Sequence, residues 1–211
     1  MAVVIAALRR MFQVILLLSA AAGAGAAAPE FRGHGGPVRA IAVAPDGAVL
    51  TGAFDTRAIL WDGTSGAARQ VMRFHEGSVT AVAFLRDGAM ATAGQDGRIA
   101  LWRGDAQEPE AVVAAHEGPV TALAVSPSGK ALASSGWDRR ARVMNLAGDG
   151  TVLLEGHEDN VNGVAFLPGG GIATAGYDGT LRLWDDDGSP RRVVAVGAPL
   201  NALAVGPEAT V

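Results

Sequence analysis

Four histidines, His34, His75, His116 and His157, recur at intervals of 41 residues, and a hydroxyl and a carboxylate follow each, in step except that the third pair lies one residue later. The sets are His34, Thr51, Asp55; His75, Thr92, Asp96; His116, Ser134, Asp138; and His157, Thr174, Asp178. Hydroxyl, imidazole and carboxylate are the members of a hydrolase triad, in which the imidazole activates the hydroxyl for attack. Repetition argues against that chemistry here, because a catalytic site is normally built once, and no Gly-x-Ser-x-Gly elbow is present.

Three of the sets carry an indole six residues after the Asp, at Trp61, Trp102 and Trp184, whereas the third has Met144 there. The hydroxyl can accept from the indole N–H and donate to the imidazole, whose other N–H meets the carboxylate. That is a structural network, and breaking it should cost about 1–3 kcal/mol per unsatisfied group. The third copy lacks the indole donor and is expected to be the least rigid.

With every histidine committed to its own copy, none remains for a zinc cluster. The run Asp185 to Asp187 reads as an acidic surface turn rather than a site for a hard cation. "PGGG", Pro168 to Gly171, replaces a strand-connecting turn in register and is not a phosphate loop. Cysteine is absent, which excludes disulfides, thiolate metal ligands, a Cys nucleophile and c-type haem attachment in this chain. No cofactor or metal is expected.

The elements that must position these residues repeat with the same period. The apolar positions Val38, Val79, Val120 and Val161 keep step, as do the turns Asp46-Gly47, Asp87-Gly88, Ser128-Gly129 and Gly169-Gly170. Each copy opens on a short apolar run, "VRAIAVAP", "VTAVAFLR", "VTALAVSP" or "VNGVAFLP", and ends in hairpin-turn residues. Second strands follow in "AVLTGA", "AMATAG", "ALASSG" and "GIATAG", and third strands in "RAILW", "RIALW", "RARVM" and "LRLW". More polar fourth strands fit "ARQVMRF", "PEAVVAA", "GTVLLEG" and "RRVVAVG". Inner strands that are apolar on both faces suit a position between neighbouring sheets. Four strands every 41 residues predict an all-β fold, a β-propeller of four-stranded antiparallel blades.

"GH" at Gly33-His34 and Gly156-His157, with "WD" at Trp61-Asp62 and Trp184-Asp185, resembles the WD-repeat propellers over about residues 30 to 211. The second copy departs with Phe74-His75 and Trp102-Arg103, the third with Ala115-His116 and Met144-Asn145. The resemblance implies that each blade is held by a buried chain from Trp through Ser/Thr and His to Asp. It also implies a protein-interaction scaffold rather than an enzyme, contacting partners through loops at the rim of the central channel. The residues before each turn Asp are placed there: Phe54, Gln95, Trp137 and Tyr177, with Arg139 and Arg140 beside Trp137. Three of these four are aromatic, and rim aromatics are the usual anchors of protein contacts. The alternative is that the rings pack over adjacent turns.

The formal charge is −4, without a basic run longer than pairs such as Arg139-Arg140 and Arg191-Arg192, which speaks against nucleic acid as a partner. Residues 1–28 read separately. Arg9-Arg10 precede an apolar run from Val14 to Ala22 and then small residues, the layout of an export signal with candidate cleavage after Ala26 or Ala28. An uncleaved membrane anchor is the alternative. "RRMF" also resembles a twin-arginine signal, so the export route stays open. An exported location, a bacterial periplasm, is expected, or the inner membrane facing it.

The propeller reading covers residues 29–211, with blades at roughly 33–73, 74–114, 115–155 and 156–197 and the start of a fifth at 198–211. "LNALAV", from Leu200, parallels "VNGVAF" and lies 39 residues after Val161. Four copies and a fraction predict an open arc or incomplete ring, from a gene that continues, with completion by a separate chain or self-association through the open edge as the other outcomes. The segment near Phe31 resembles an outer strand that closes such a ring. The functional expectation is an exported, non-enzymatic scaffold for a protein partner. A docking or sensor part of a larger exported c-type cytochrome is the alternative, and a propeller hydrolase a more distant one.

Overall fold

The computed structural model describes residues 29–148 and 150–206. The expected export segment, residues 1–28, lies outside the described residues, as do 207–211. The described residues hold sixteen strands and no helix. Blade one contains β1 (Val38–Val43), β2 (Val49–Ala53), β3 (Arg57–Trp61) and β4 (Ala68–Arg73). Blade two contains β5 (Val79–Phe84), β6 (Met90–Gly94), β7 (Arg98–Trp102) and β8 (Ala111–Ala114). Blade three contains β9 (Val120–Val125), β10 (Ala131–Gly136), β11 (Arg140–Asn145) and β12 (Thr151–Glu155). Blade four contains β13 (Val161–Phe166), β14 (Ile172–Gly176), β15 (Thr180–Trp184) and β16 (Pro190–Ala195). Within each sheet the strands lie in chain order and pair antiparallel.

Local chemistry sets the hairpins. Between β1 and β2 the backbone turns at Gly47, at φ +86°, while Asp46 Oδ1 accepts the Ala48 N–H at 3.1 Å. Asp87 Oδ1 accepts the Ala89 N–H at the same distance, in the same place of blade two. The second strands are buried almost throughout, on both faces, and the third strands are buried in part.

The sheets stack through their inner strands: β1 packs on β5, β5 on β9 and β9 on β13. No comparable packing joins β13 back to β1 among the described residues, so the four sheets are not closed into a ring. At each junction the inner strand of one blade covers the face of the blade before it. Val82 and Phe84 pack on Leu50, Ala58 and Met72 of blade one. Leu123 and Val125 do the same on blade two, and Val164 and Phe166 on blade three.

The equivalent residues of β1 have no blade before them. Val38, Ile41 and Val43 are 54%, 53% and 49% exposed, whereas Val79 in β5 is fully buried. Residues preceding β1 cover part of the rest of that face, with the Phe31 ring edge-on to Trp61 at 5.5 Å.

At the other end, Leu203 and Val205 pack on Leu167, Ala173 and Leu183 of blade four. Asn162 Nδ2 donates to the Leu200 carbonyl at 3.0 Å, as Thr121 Oγ1 donates to that of Val161 at 2.6 Å. Residues 200–206 form no strand, unlike the inner strand expected from the sequence. In the other copies the inner strand pairs with its own second strand, and no such partner lies beside this segment among the described residues.

Candidate functional site

The repeated polar sets assemble as one relay per blade. In blade one Trp61 Nε1 donates to Thr51 Oγ1 at 2.7 Å, Thr51 Oγ1 lies 2.7 Å from His34 Nε2, and His34 Nδ1 lies 3.0 Å from Asp55 Oδ2. Blade two gives 3.0, 2.9 and 3.0 Å for Trp102, Thr92, His75 and Asp96. Blade four gives 2.9, 2.8 and 2.9 Å for Trp184, Thr174, His157 and Asp178.

The chemistry of the groups fixes the proton order. An indole can only donate, so the hydroxyl proton passes to Nε2, and the ring N–H at Nδ1 donates to the carboxylate. Each carboxylate is further held by backbone N–H donors: Gly35 and Arg57 on Asp55, Glu76 and Arg98 on Asp96, and Glu158 and Thr180 on Asp178.

Those bonds set the charges. Burial opposes ionisation of Asp178, but the Glu158 N–H, the Thr180 hydroxyl and N–H, and His157 outweigh it and hold its carboxyl at about 2. At Asp55 burial is likewise overcome, by the Gly35 N–H, His34 and the Arg57 N–H, and its pKa lies below the ordinary value. Burial lowers His157 despite Asp178, so the imidazole is neutral. The hydroxyls of Thr92, Ser134 and Thr174 are fully buried, and no open position lies beside them for a substrate.

A glycine makes room for three of the rings. A Cβ on Gly176 would sit 2.4 Å from His157 Nδ1 and 2.5 Å from Asp178 Oδ1, and Gly94 and Gly136 are crowded in the same way. That explains the glycine before Gln95, Trp137 and Tyr177. Blade one carries Ala53 there instead.

Blade three departs from the relay at the position the sequence flagged. Met144 stands where the indole would be, and Ser134 Oγ bonds His116 Nε2 at 2.9 Å without a donor of its own from that side. His116 Nδ1 reaches Asp138 at 2.8 Å. Arg142 enters as well: its Nη1 donates to Asp138 Oδ2 at 2.8 Å and lies 2.9 Å from His116 Nδ1. The proton on that nitrogen is committed to Asp138, so the second contact is electrostatic. Burial lowers the His116 pKa, against Asp138, and the charges of Arg142 and Arg140 lower it further. Arg142 was not singled out from the sequence. Its signal was an Arg inside "RARVM", in the one copy without the Trp.

The four expected rim residues share one geometry. The N–H of Phe54, Gln95, Trp137 and Tyr177 donates to the carbonyl of Pro37, Ser78, Pro119 and Asn160, each acceptor 41 residues from the next. Phe54, Trp137 and Tyr177 are 52%, 54% and 48% exposed, so about half of each residue faces solvent. Gln95 is exposed too, but its Oε1 accepts the Ser78 N–H at 3.3 Å. Trp137, Arg139 and Arg140 line a cavity of about 460 Å³ together with Glu117 and Glu155. Phe54, Gln95 and Tyr177 lie outside its lining. Arg140 is paired with Glu155 at 2.8 Å. No group of His, Cys, Asp and Glu suited to a metal ion occurs among the described residues.

Comparison with known proteins gives a consistent picture. The family model described as WD domain, G-beta repeat matches residues 27–62, 66–103, 107–145 and 148–185. The crystal structure of the WD40 beta propeller domain of Doa1 superposes with a TM-score of 0.74 at 23% identity, over 84% of this chain. The chain spans 60% of the length of that structure's chain. No curated protein matches the chain.

Proposed function

The chain belongs to the WD40 repeat family of β-propellers, and we propose that it is a non-enzymatic scaffold holding a protein partner on the rim that carries Phe54, Trp137 and Tyr177. WD40 propeller domains generally mediate protein–protein interaction. The observation that carries the reading for this chain is the repeated exposure of a large ring at one structural position in three of four blades. Exposed aromatic side chains held on rigid turns lose little entropy on binding and are typical hot spots.

The buried hydroxyls favour a structural role for the relays. A nucleophile must meet its substrate, and Thr92, Ser134 and Thr174 have no exposed surface. The test replaces both Trp137 and Tyr177 with Ala and compares partner capture from the source cells by immobilised wild-type and variant chains. Capture should be lost while the urea unfolding midpoint stays in place. Undiminished capture by a folded double variant would refute the rim assignment.

Our reading also places the scaffold in an exported compartment, on the strength of Arg9-Arg10 followed by the apolar run and the small-residue segment. N-terminal sequencing of the protein from its source should begin at Ala27 or Pro29. An intact Met1 start on a cytoplasmic product would contradict it.

A further inference from the structure

Arg139 stands where the backbone passes through the left-handed region, at φ +65°. Blades two and four place Gly97 and Gly179 there, at +75° and +73°. Glycine adopts this conformation freely, whereas a residue with a Cβ is strained in it. The side chain is exposed. Its neighbours Arg140 and Arg142 are paired with Glu155 and Asp138, but Arg139 has no ion-pair partner among the described residues. Thr56 has the same backbone conformation in blade one, without a charge. Trp137, two residues before Arg139, is the one exposed indole, since Trp61, Trp102 and Trp184 are buried. Both residues line the 460 Å³ cavity at the turn of blade three, which extends to the segment leading into blade four.

We propose that this cleft docks a partner segment through a single carboxylate side chain, gripped by the Arg139 guanidinium, with an adjacent apolar side chain laid on Trp137. The proposal rests on the rim reading above and names the chemistry of its partner. A guanidinium matches a carboxylate with two parallel hydrogen bonds, and such pairs are among the stronger polar contacts. Of the carboxylates in the lining, Glu155 and Asp138 are paired with Arg140 and Arg142, while Glu117 repels a second negative charge, so the fit is one acidic residue between apolar ones rather than an acidic run. Backbone strain held at a turn beside an open cavity suits a residue kept for contact with another molecule.

The probe is acetyl-Gly-Leu-Glu-Leu-Gly-amide, with Gln or Lys replacing Glu as controls, titrated against the full chain. Trp137 alone is open to iodide, so protection of the quenchable emission reads occupancy. Saturable protection by the Glu peptide is expected, with binding about tenfold weaker for the Gln peptide and weaker again for the Lys peptide. Arg139→Gly should weaken Glu-peptide binding about tenfold without lowering the unfolding midpoint, because glycine relieves the strain. Arg139→Lys should retain part of the binding.

Equal binding of the Glu and Gln peptides, unchanged binding by Arg139→Gly, or no saturation up to about 1 mM overturns the carboxylate assignment. The rim reading is tested separately, by loss of natural-partner capture in the variant with Ala at Trp137 and Tyr177. Capture lost there but kept in Arg139→Gly rejects the carboxylate and retains the rim.

Discussion

Blades three and four carry an arginine at the same place, eight residues after the relay hydroxyl, yet the two side chains do different things. In blade three, with Met144 in the indole seat, Arg142 reaches Asp138 and closes the set with an ion pair. In blade four the seat is filled by Trp184, and Asp178 takes the Glu158 N–H and the Thr180 hydroxyl instead. Arg182 lies with its Nη1 near Gly156, and its Nε is buried without a partner. The same residue type in the same strand position is therefore an ion-pair partner in one blade and is left with an unpaired buried Nε in the other. The neighbouring seat decides which. A missing donor in blade three does not simply leave a gap, because a nearby cation moves to the carboxylate that the relay was meant to serve.

Acid tests both arrangements at once and should have the largest effect. Burial holds His116 and His157 below the ordinary 6.5, so the unfolded chain takes up protons there that the folded chain refuses. Their contribution is complete above about pH 6.5 and declines as the pH falls below it. Asp55, Asp138 and Asp178 lie below the ordinary 3.8, Asp178 at about 2. Their contribution is present above 3.8 and is lost as the pH falls toward their folded values. The urea midpoint should hold steady from pH 8 to near 7 and then fall in two stages. A midpoint that stays flat down to pH 4 would contradict neutral, buried imidazoles.

The next effect separates the blades. Thr174→Val keeps the shape of the side chain but removes the hub that accepts from Trp184 and donates to His157, leaving two buried polar groups unpaired. It should cost about 3 kcal/mol in equilibrium urea unfolding. Ser134→Ala in blade three strands only the His116 nitrogen and should cost about 1–2 kcal/mol. Equal costs would mean that the indole bond adds nothing, and the distinction between the blades would collapse.

Much of this was legible in the sequence because a period of 41 fixes equivalence: once His34, Thr51, Asp55 and Trp61 are matched in one copy, the second and fourth sets follow by counting and the third lies one residue on, at Ser134 and Asp138. The relay distances and the four-stranded sheets agree with that equivalence. One side-chain contact was not legible, and one exposed face was legible only from the count of copies. Arg142 sits in a strand whose neighbours are apolar, and only coordinates show that its long side chain folds back to Asp138 rather than out to solvent. Ile41 and Val43 have the same character as Val82 and Phe84, so nothing in their own sequence marks them as exposed. Exposure there depends on what packs against β1, a property of the assembly and not of the strand.

The smallest effect is the most direct test of the seat rule. Met144→Trp restores the residue found at the other three copies and gives Ser134 an indole donor, a bond worth about 1 kcal/mol. Two terms oppose that gain. Met144 is buried among packed neighbours, and enlarging a filled core site costs about 1–3 kcal/mol where the surroundings cannot yield. If the ring takes the position that Trp184 holds in blade four, Arg142 is also pushed away from Asp138, as Arg182 stands clear of Asp178. Where the surroundings yield to the ring, the single substitution should therefore destabilise by about 1 kcal/mol, the new bond offsetting about half of the lost ion pair. Pairing it with Arg142→Ala, the residue type at Ala100 of blade two, should then behave non-additively. Arg142→Ala alone strips Asp138 of its ion pair and should destabilise by about 2 kcal/mol, but in the Met144→Trp background it removes a cation already displaced and should cost much less. A double-mutant cycle that closes to within about 0.5 kcal/mol would show that indole and guanidinium occupy independent sites, and the exchange between them would have to be abandoned.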